Sequence, residues 1–183
     1  VVADTGAGKY IAYCQSYTGT YAPIGKLHRL YTQTIRHPDI AAVSIATRPD
    51  CLGEDVIRLL AELKEEKPVW VELGLQTIHP DTAAYIRRGY DLSVYDQAVK
   101  RLQERGIETV VHMILGLPGE TPEMMAQTAR YIGDSGVQGI KLQLRHVLKG
   151  TDLEKDYCAG KFEVLSPEED RDRKSGSTGM PRP

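Results

Sequence analysis

Val69-Trp70-Val71-Glu72-Leu73-Gly74-Leu75-Gln76 is the stretch on which the fold turns. Side chains alternate across an extended strand. Val69, Val71, Leu73 and Leu75 therefore share one face, and Trp70, Glu72, Gly74 and Gln76 share the other. Before it, residues 54–66 carry Val56, Ile57, Leu60 and Leu63 at helical spacing. After it, a helix starting at Ser93 carries Val94, Ala98, Val99 and Leu102 inward and meets a natural stop at Gly106. Further strands are predicted at residues 9–15, 41–47, 108–115 and 139–146. Their starts lie roughly 30 to 40 residues apart, the spacing of successive strand-helix units in a parallel sheet. Helices are also predicted at residues 23–35, from the N-cap Thr121 through Pro122 to about Ser135-Gly136, and near 152–158. Five right-handed strand-helix units are legible.

The chain has 183 residues, enough for one domain but short of the roughly 250 of a complete eight-unit α/β barrel. With 23 basic against 25 acidic side chains it is not a broadly basic nucleic-acid coat. No apolar run reaches the ~18 residues of a membrane span, and Val1-Val2-Ala3-Asp4 does not open a signal peptide. Three cysteines, an odd and sparse set, read as reduced and cytoplasmic. No initiator methionine is present, so an internal piece of a longer protein is expected. Residues 1–165 form the predicted core. Residues 166–183, rich in charge, Ser, Gly and Pro, are expected to be a disordered tail.

Helices must cover the apolar face of a parallel sheet, which leaves the polar face for a barrel interior or cleft. That face would hold Gln15, Arg48, Glu72, Gln76, His112, Lys141, Gln143 and Arg145, where an ordinary barrel interior is filled by branched apolar side chains. Burying such charges without function is costly, and most of these positions lie toward strand C-terminal ends, where such folds place their sites. A wet sheet edge is the structural alternative. Three bases against Glu72 predict a net positive interior suited to a carboxylate or phosphate. His112 reads equally as a base, a proton relay or a satisfied core histidine.

Asp4-Thr5-Gly6-Ala7-Gly8-Lys9-Tyr10 is not a phosphate loop. That pattern needs glycine where Ala3 stands and Ser or Thr where Tyr10 stands, and it comes after a strand, so the segment reads as a flexible connector. Cys14, Cys51 and Cys158 are too far apart for a local metal pattern, although Cys14 near a strand top could line the site. Gly116-Leu117-Pro118-Gly119-Glu120-Thr121 would let backbone approach a flat ligand, with helix amides behind it. Lys149-Gly150-Thr151 reads as a turn.

Five segments taken in order carry a resemblance. They are Tyr13-Cys14-Gln15-Ser16-Tyr17-Thr18-Gly19-Thr20-Tyr21-Ala22-Pro23, Ser44-Ile45-Ala46-Thr47-Arg48-Pro49-Asp50-Cys51, and Val69 through Thr77. To these add His112 through Thr121, and His146-Val147-Leu148-Lys149-Gly150-Thr151. Over about residues 9–165 the chain resembles the radical S-adenosylmethionine (radical SAM) enzymes. The branch it is most similar to is the YhcC-like one, related to the radical domain of the elongator tRNA acetyltransferase.

The resemblance implies a partial six-stranded α/β barrel, with about five strand-helix units present and the first missing. It implies that three cysteines of the first unit hold a [4Fe-4S] cluster chelating S-adenosylmethionine. Reductive cleavage then gives a 5′-deoxyadenosyl radical that takes hydrogen from a substrate. A one-electron reductant such as flavodoxin or ferredoxin is implied, and the elongator kinship makes RNA a candidate substrate.

Position by position, Gln15, Ser16, Tyr17 and Thr18 match the motif that meets the methionine amino group, without its usual glycine-glycine-glutamate. Arg48 matches the residue facing the methionine carboxylate or ribose, and Glu72 and Gln76 match positions near the ribose. Ile114, Leu115 and Gly116 match the segment beside the adenine, with Val147 on its edge. His112, Lys141, Gln143 and Arg145 are left to face the substrate. The cluster motif is absent, so its cysteines are expected upstream of Val1 and this chain alone is expected to be inactive. Two other functions fit the residues: a non-redox barrel lyase using Glu72, Lys141 and His112, and a binding module with a degenerate site.

Overall fold

The computed structural model describes residues 3–4, 8–15 and 17–164, and the expected tail at 166–183 lies outside them. Six strands form one open sheet in chain order: β1 (Ala3–Asp4), β2 (Tyr10–Cys14), β3 (Ile40–Thr47), β4 (Val69–Gln76), β5 (Glu108–Leu115) and β6 (Gly139–Leu144). β2 to β6 are parallel neighbours, so the five expected strands make a half-barrel. β1 was not expected. It pairs antiparallel with β2 through Ala3↔Ile11 and Asp4↔Tyr10, which corrects the reading of residues 4–10 as a connector throughout.

The helices are α1 (Ile24–Ile35), α2 (Glu54–Glu66), α3 (Pro80–Tyr85), α4 (Leu92–Glu104), α5 (Pro122–Asp134) and α6 (Asp152–Cys158). Thr121 caps α5 as its sequence predicts, its side chain accepting from the Met124 amide. α3 went unpredicted because it has only six residues and buries just Thr82 and Ala83. A 3-10 turn at Pro49–Cys51 comes after β3.

The core lies between the sheet and its helices, where alternation puts Val69, Val71, Leu73 and Leu75 of β4, each buried. Ile35 of α1, Leu60 of α2, Leu102 of α4 and Ile132 of α5 close over them. Fully burying each such side chain contributes about 1.5–3 kcal/mol. Cys14 packs against this core with the helices, so it does not line the site, and burial pushes its thiol pKa up.

The turn after β2 is pinned to β3. Gly19 donates its amide to Ala46 O at 2.9 Å, Tyr31 Oη donates to Gly19 O, and Thr20 bonds Thr47 and the Cys51 carbonyl. A Cβ at Gly19 would meet Ala46 O at 2.9 Å and Tyr31 Oη at 3.1 Å, so backbone would have to move. Gly19→Ala is expected to lower stability by about 1–3 kcal/mol in urea unfolding, whereas Gly25→Ala, with open space around it, should change stability little or raise it.

Candidate cofactor and substrate site

The concave face of the sheet carries an ionised layer. Glu72 of β4 is 9% exposed and sits among four donors from four strands. His112 Nε2 lies 2.6 Å from its Oε2, and Ser44 Oγ donates to Oε1 at 2.8 Å. Tyr13 Oη donates to Oε2 at 2.9 Å, and Lys141 Nζ donates to the same oxygen at 3.1 Å and to Tyr13 Oη at 2.9 Å. Burial alone would raise the Glu72 pKa, but His112, Ser44, Lys141 and Tyr13 together outweigh it and hold it at about 2. Burial pulls the Lys141 ammonium down, yet Tyr13 and Glu72 keep its pKa above the ordinary lysine value.

Above this layer, at the C-terminal ends of β3 to β6, lies a cavity of about 380 Å³. Arg48, Gln76, Ile114 and Arg145 of the sequence-predicted set line it, together with Arg87, Arg88, Tyr90, Leu117, Leu144 and His146. Gln76 enters it through an irregularity. The register slips between Gly74 and Gln76, and Gln76 adopts φ 66°, a left-handed conformation that costs a side-chain-bearing residue energy. Tyr90 holds this corner. Its hydroxyl donates to Gly74 O, and its ring lies 5.3 Å from the Arg48 guanidinium and 4.8 Å from that of Arg88. Burial pushes the Tyr90 pKa up to about 12.

The other predicted positions are spread more widely. Gln15 and Tyr17 are exposed and Thr18 is half-buried, none of them lining the cavity, and Ser16 lies outside the described residues. Leu115 faces the helices at 7% exposure. Gly116, with φ 73°, gives its amide to Met125 Sδ at 3.2 Å, so that amide is engaged within the fold. Gln143 and Val147 are half-buried and line no part of the cavity.

The positive interior predicted from three bases is also altered. Asp50, in the 3-10 turn, takes both the Nε and the Nη2 of Arg48, at 2.9 and 2.7 Å. Tyr90 and Arg88 were missed, because they come from the α3–α4 loop and not from a strand. The pairing of Arg48 with an acid two residues on could have been read from Arg48-Pro49-Asp50.

The lining suits S-adenosylmethionine in kind: guanidinium and amide groups for its polar ends, and Ile114, Leu117 and Leu144 for a flat base. The described residues do not suit an iron–sulfur cluster. Among them no three His, Cys, Asp or Glu side chains come together, and Cys14, Cys51 and Cys158 are free and on separate elements. No helix among them is long and apolar enough to cross a membrane.

A half-barrel of parallel strands, with its cavity at their C-terminal ends over a buried ionised layer, is the frame of an α/β-barrel enzyme. The Radical SAM superfamily model matches residues 1–132, and the chain belongs to that superfamily and carries a radical SAM enzyme core. It is 48% identical over 162 residues to YtqA of Bacillus subtilis, covering 88% of this chain and 50% of that protein. It is 38% identical over 164 residues to YhcC of Escherichia coli, covering 89% and 53%. The tRNA uridine(34) acetyltransferase of Methanocaldococcus jannaschii is 29% identical over 140 residues, covering 75% of this chain and 25% of the acetyltransferase. The chain thus spans about half the length of YtqA and YhcC. Among solved structures, Elp3 of Methanocaldococcus infernus shares the fold with a TM-score of 0.79 at 22% identity, over 93% of this chain and 45% of Elp3.

Proposed function

We propose that this chain is the S-adenosylmethionine-binding part of a radical SAM enzyme whose activity belongs to a longer protein. The observation that carries the reading is the cavity at the strand C-terminal ends, lined from β3, β4 and β5 by Arg48, Gln76 and Ile114. Arg48 and Gln76 would hold the polar parts of S-adenosylmethionine, and Ile114 would pack on its base. Bound there in the longer protein and cleaved reductively, S-adenosylmethionine would supply a 5′-deoxyadenosyl radical for hydrogen abstraction, with methionine leaving. The reductant would be a small one-electron carrier such as flavodoxin or ferredoxin. The chain's own residues bind and orient, while the Glu72 layer beneath fixes the interior face against which a substrate would lie.

A non-redox lyase using Glu72, Lys141 and His112 is less well supported, since Lys141 is held as an ammonium by Tyr13 and Glu72, and Glu72 is held ionised by its four donors. The tRNA-modifying relative makes RNA a candidate substrate, and the net charge of −2 gives it no support.

Two measurements on the 183-residue chain test this reading. Isothermal titration should detect S-adenosylhomocysteine binding that weakens at least tenfold in Ile114→Asp, and no binding to the parent chain would refute the cofactor site. Anaerobic iron–sulfur reconstitution should leave the chain far below one cluster, because its three cysteines stand on separate elements.

A further inference from the structure

We propose that Arg145 forms a second subsite in this cavity, one that takes a carboxylate or phosphate of the substrate and is closed here by a strap of residues 162–163. The proposal goes beyond the cofactor reading and does not depend on it.

The cavity wall carries four arginines, and they are not alike. Arg48 is paired with Asp50 at 2.7 Å and Arg87 with Asp152 at 2.9 Å. Arg88 gives its N–H groups to the carbonyls of Leu75, Thr77 and Tyr90, which satisfy hydrogen bonds without cancelling charge. Arg145 has neither arrangement. Among the described residues it has no acidic partner, its Nε and Nη1 are buried without a hydrogen bond, and burial pulls its pKa down. A desolvated guanidinium with open donors is unfavourable unless an anion completes it.

One bond is made. Nη2 donates to the Glu163 carbonyl at 2.9 Å, and the guanidinium lies 4.2 Å from the centre of the Phe162 ring. A guanidinium binds an oxyanion bidentately along one of two edges, Nε with Nη2 or Nη1 with Nη2, and Nη2 belongs to both. The Glu163 carbonyl takes one of the two Nη2 N–H groups and so closes the fork on that edge, while both remaining nitrogens, Nε and Nη1, are buried. Lifting the strap frees Nη2 beside two nitrogens that already lack partners. Phe162 rests on the Tyr157 ring at 5.8 Å, and α6, which carries Tyr157, buries none of its residues, so beyond the Lys161 amide on the Asp156 carbonyl the strap is held by this ring pair and by Arg145 itself. The arrangement is a fork kept shut by backbone, which an anion opens by replacing one carbonyl with two charged oxygens.

The test titrates inorganic phosphate, and separately malonate, against the 183-residue chain at constant ionic strength, monitored by amide NMR shifts. Saturable binding is expected. It should tighten at least threefold in Phe162→Ala, weaken at least tenfold in Arg145→Gln, and stay weak in Arg145→Lys, whose ammonium has no fork. Circular dichroism checks that the variants fold. The tighter of the two anions names the chemical source of the group. Binding unchanged in Arg145→Gln, weakened in Phe162→Ala, or absent from both parent and Phe162→Ala would overturn the proposal. Saturating S-adenosylhomocysteine separates the two readings: phosphate binding that survives it supports a second subsite. Phosphate binding lost to it makes Arg145 part of the cofactor site and overturns this one. S-adenosylhomocysteine that fails to bind at all refutes the cofactor reading and leaves the anion result standing.

Discussion

Glu72→Leu is expected to destabilise the fold by about 3–5 kcal/mol, the usual cost of removing one member of a buried ionic cluster. Four groups from four strands converge on this carboxylate, and leucine would leave Lys141, His112, Tyr13 and Ser44 without their shared acceptor. Urea unfolding at neutral pH measures the loss. Glu72→Gln, which keeps the shape and one acceptor oxygen, should fall between the two, and Glu72→Leu with Lys141→Met should recover part of the difference.

The pH dependence has a definite sign. The folded carboxyl titrates at about 2 against an ordinary 4.5, so its contribution is complete above 4.5 and disappears as pH falls toward 2. Stability should decline with acid over that window in the parent, and less steeply in Glu72→Gln. Equal slopes in the two proteins would mean that the layer contributes nothing through its charge.

Arg88→Met should cost about 3 kcal/mol, because Arg88, 7% exposed, serves the Leu75 and Thr77 carbonyls at the top of β4 and the Tyr90 carbonyl of its own loop, none of which methionine can satisfy. The same change should weaken S-adenosylhomocysteine binding at least tenfold, since Leu75 and Thr77 flank the residue that turns into the cavity. Arg87→Met is the control. Arg87 is next in sequence and lines the same cavity, but its bond to Asp152 is exposed on both sides, and such pairs are worth about 0–1 kcal/mol. Similar losses in the two variants would show that nearness to the cavity, and not support of the β4 end, sets the effect.

Much of the frame was readable because β3 to β6 and the longer helices are strongly periodic. Val69–Gln76, Glu108–Leu115, Glu54–Glu66 and Asp152–Cys158 start and stop where pattern and caps put them. β6 ends at Leu144, short of the predicted 146, as Arg145 turns off the ladder into the cavity wall while its amide still reaches Leu115 O. Alternation also grouped much of the interior layer: Glu72, His112 and Lys141 all fall on predicted inward faces. What alternation cannot say is which of them touch. Glu72 was matched to the ribose from its strand position, yet its oxygens are taken by four neighbours that approach from other strands. The corner built by Arg88 and Tyr90 was hidden for another reason, since loop side chains reach a site through three-dimensional closure and leave no period behind.

The slip between Gly74 and Gln76 also has a bearing on how this wall can change. Before the slip, β4 runs in register with β5 from Trp70 to Gly74, and Val71 and Leu73 are held against the helices by the two-residue beat. Leu75 is the added beat, and the left-handed turn at Gln76 re-aims that one side chain while Gln76 still pairs with Met113. Residue 76 can then vary in the group it presents to a ligand without shifting the register of β4 on β5, whereas Thr77 next to it is fully buried. Fold and specificity are written in separate reading frames on one strand, and the join between them is a single residue.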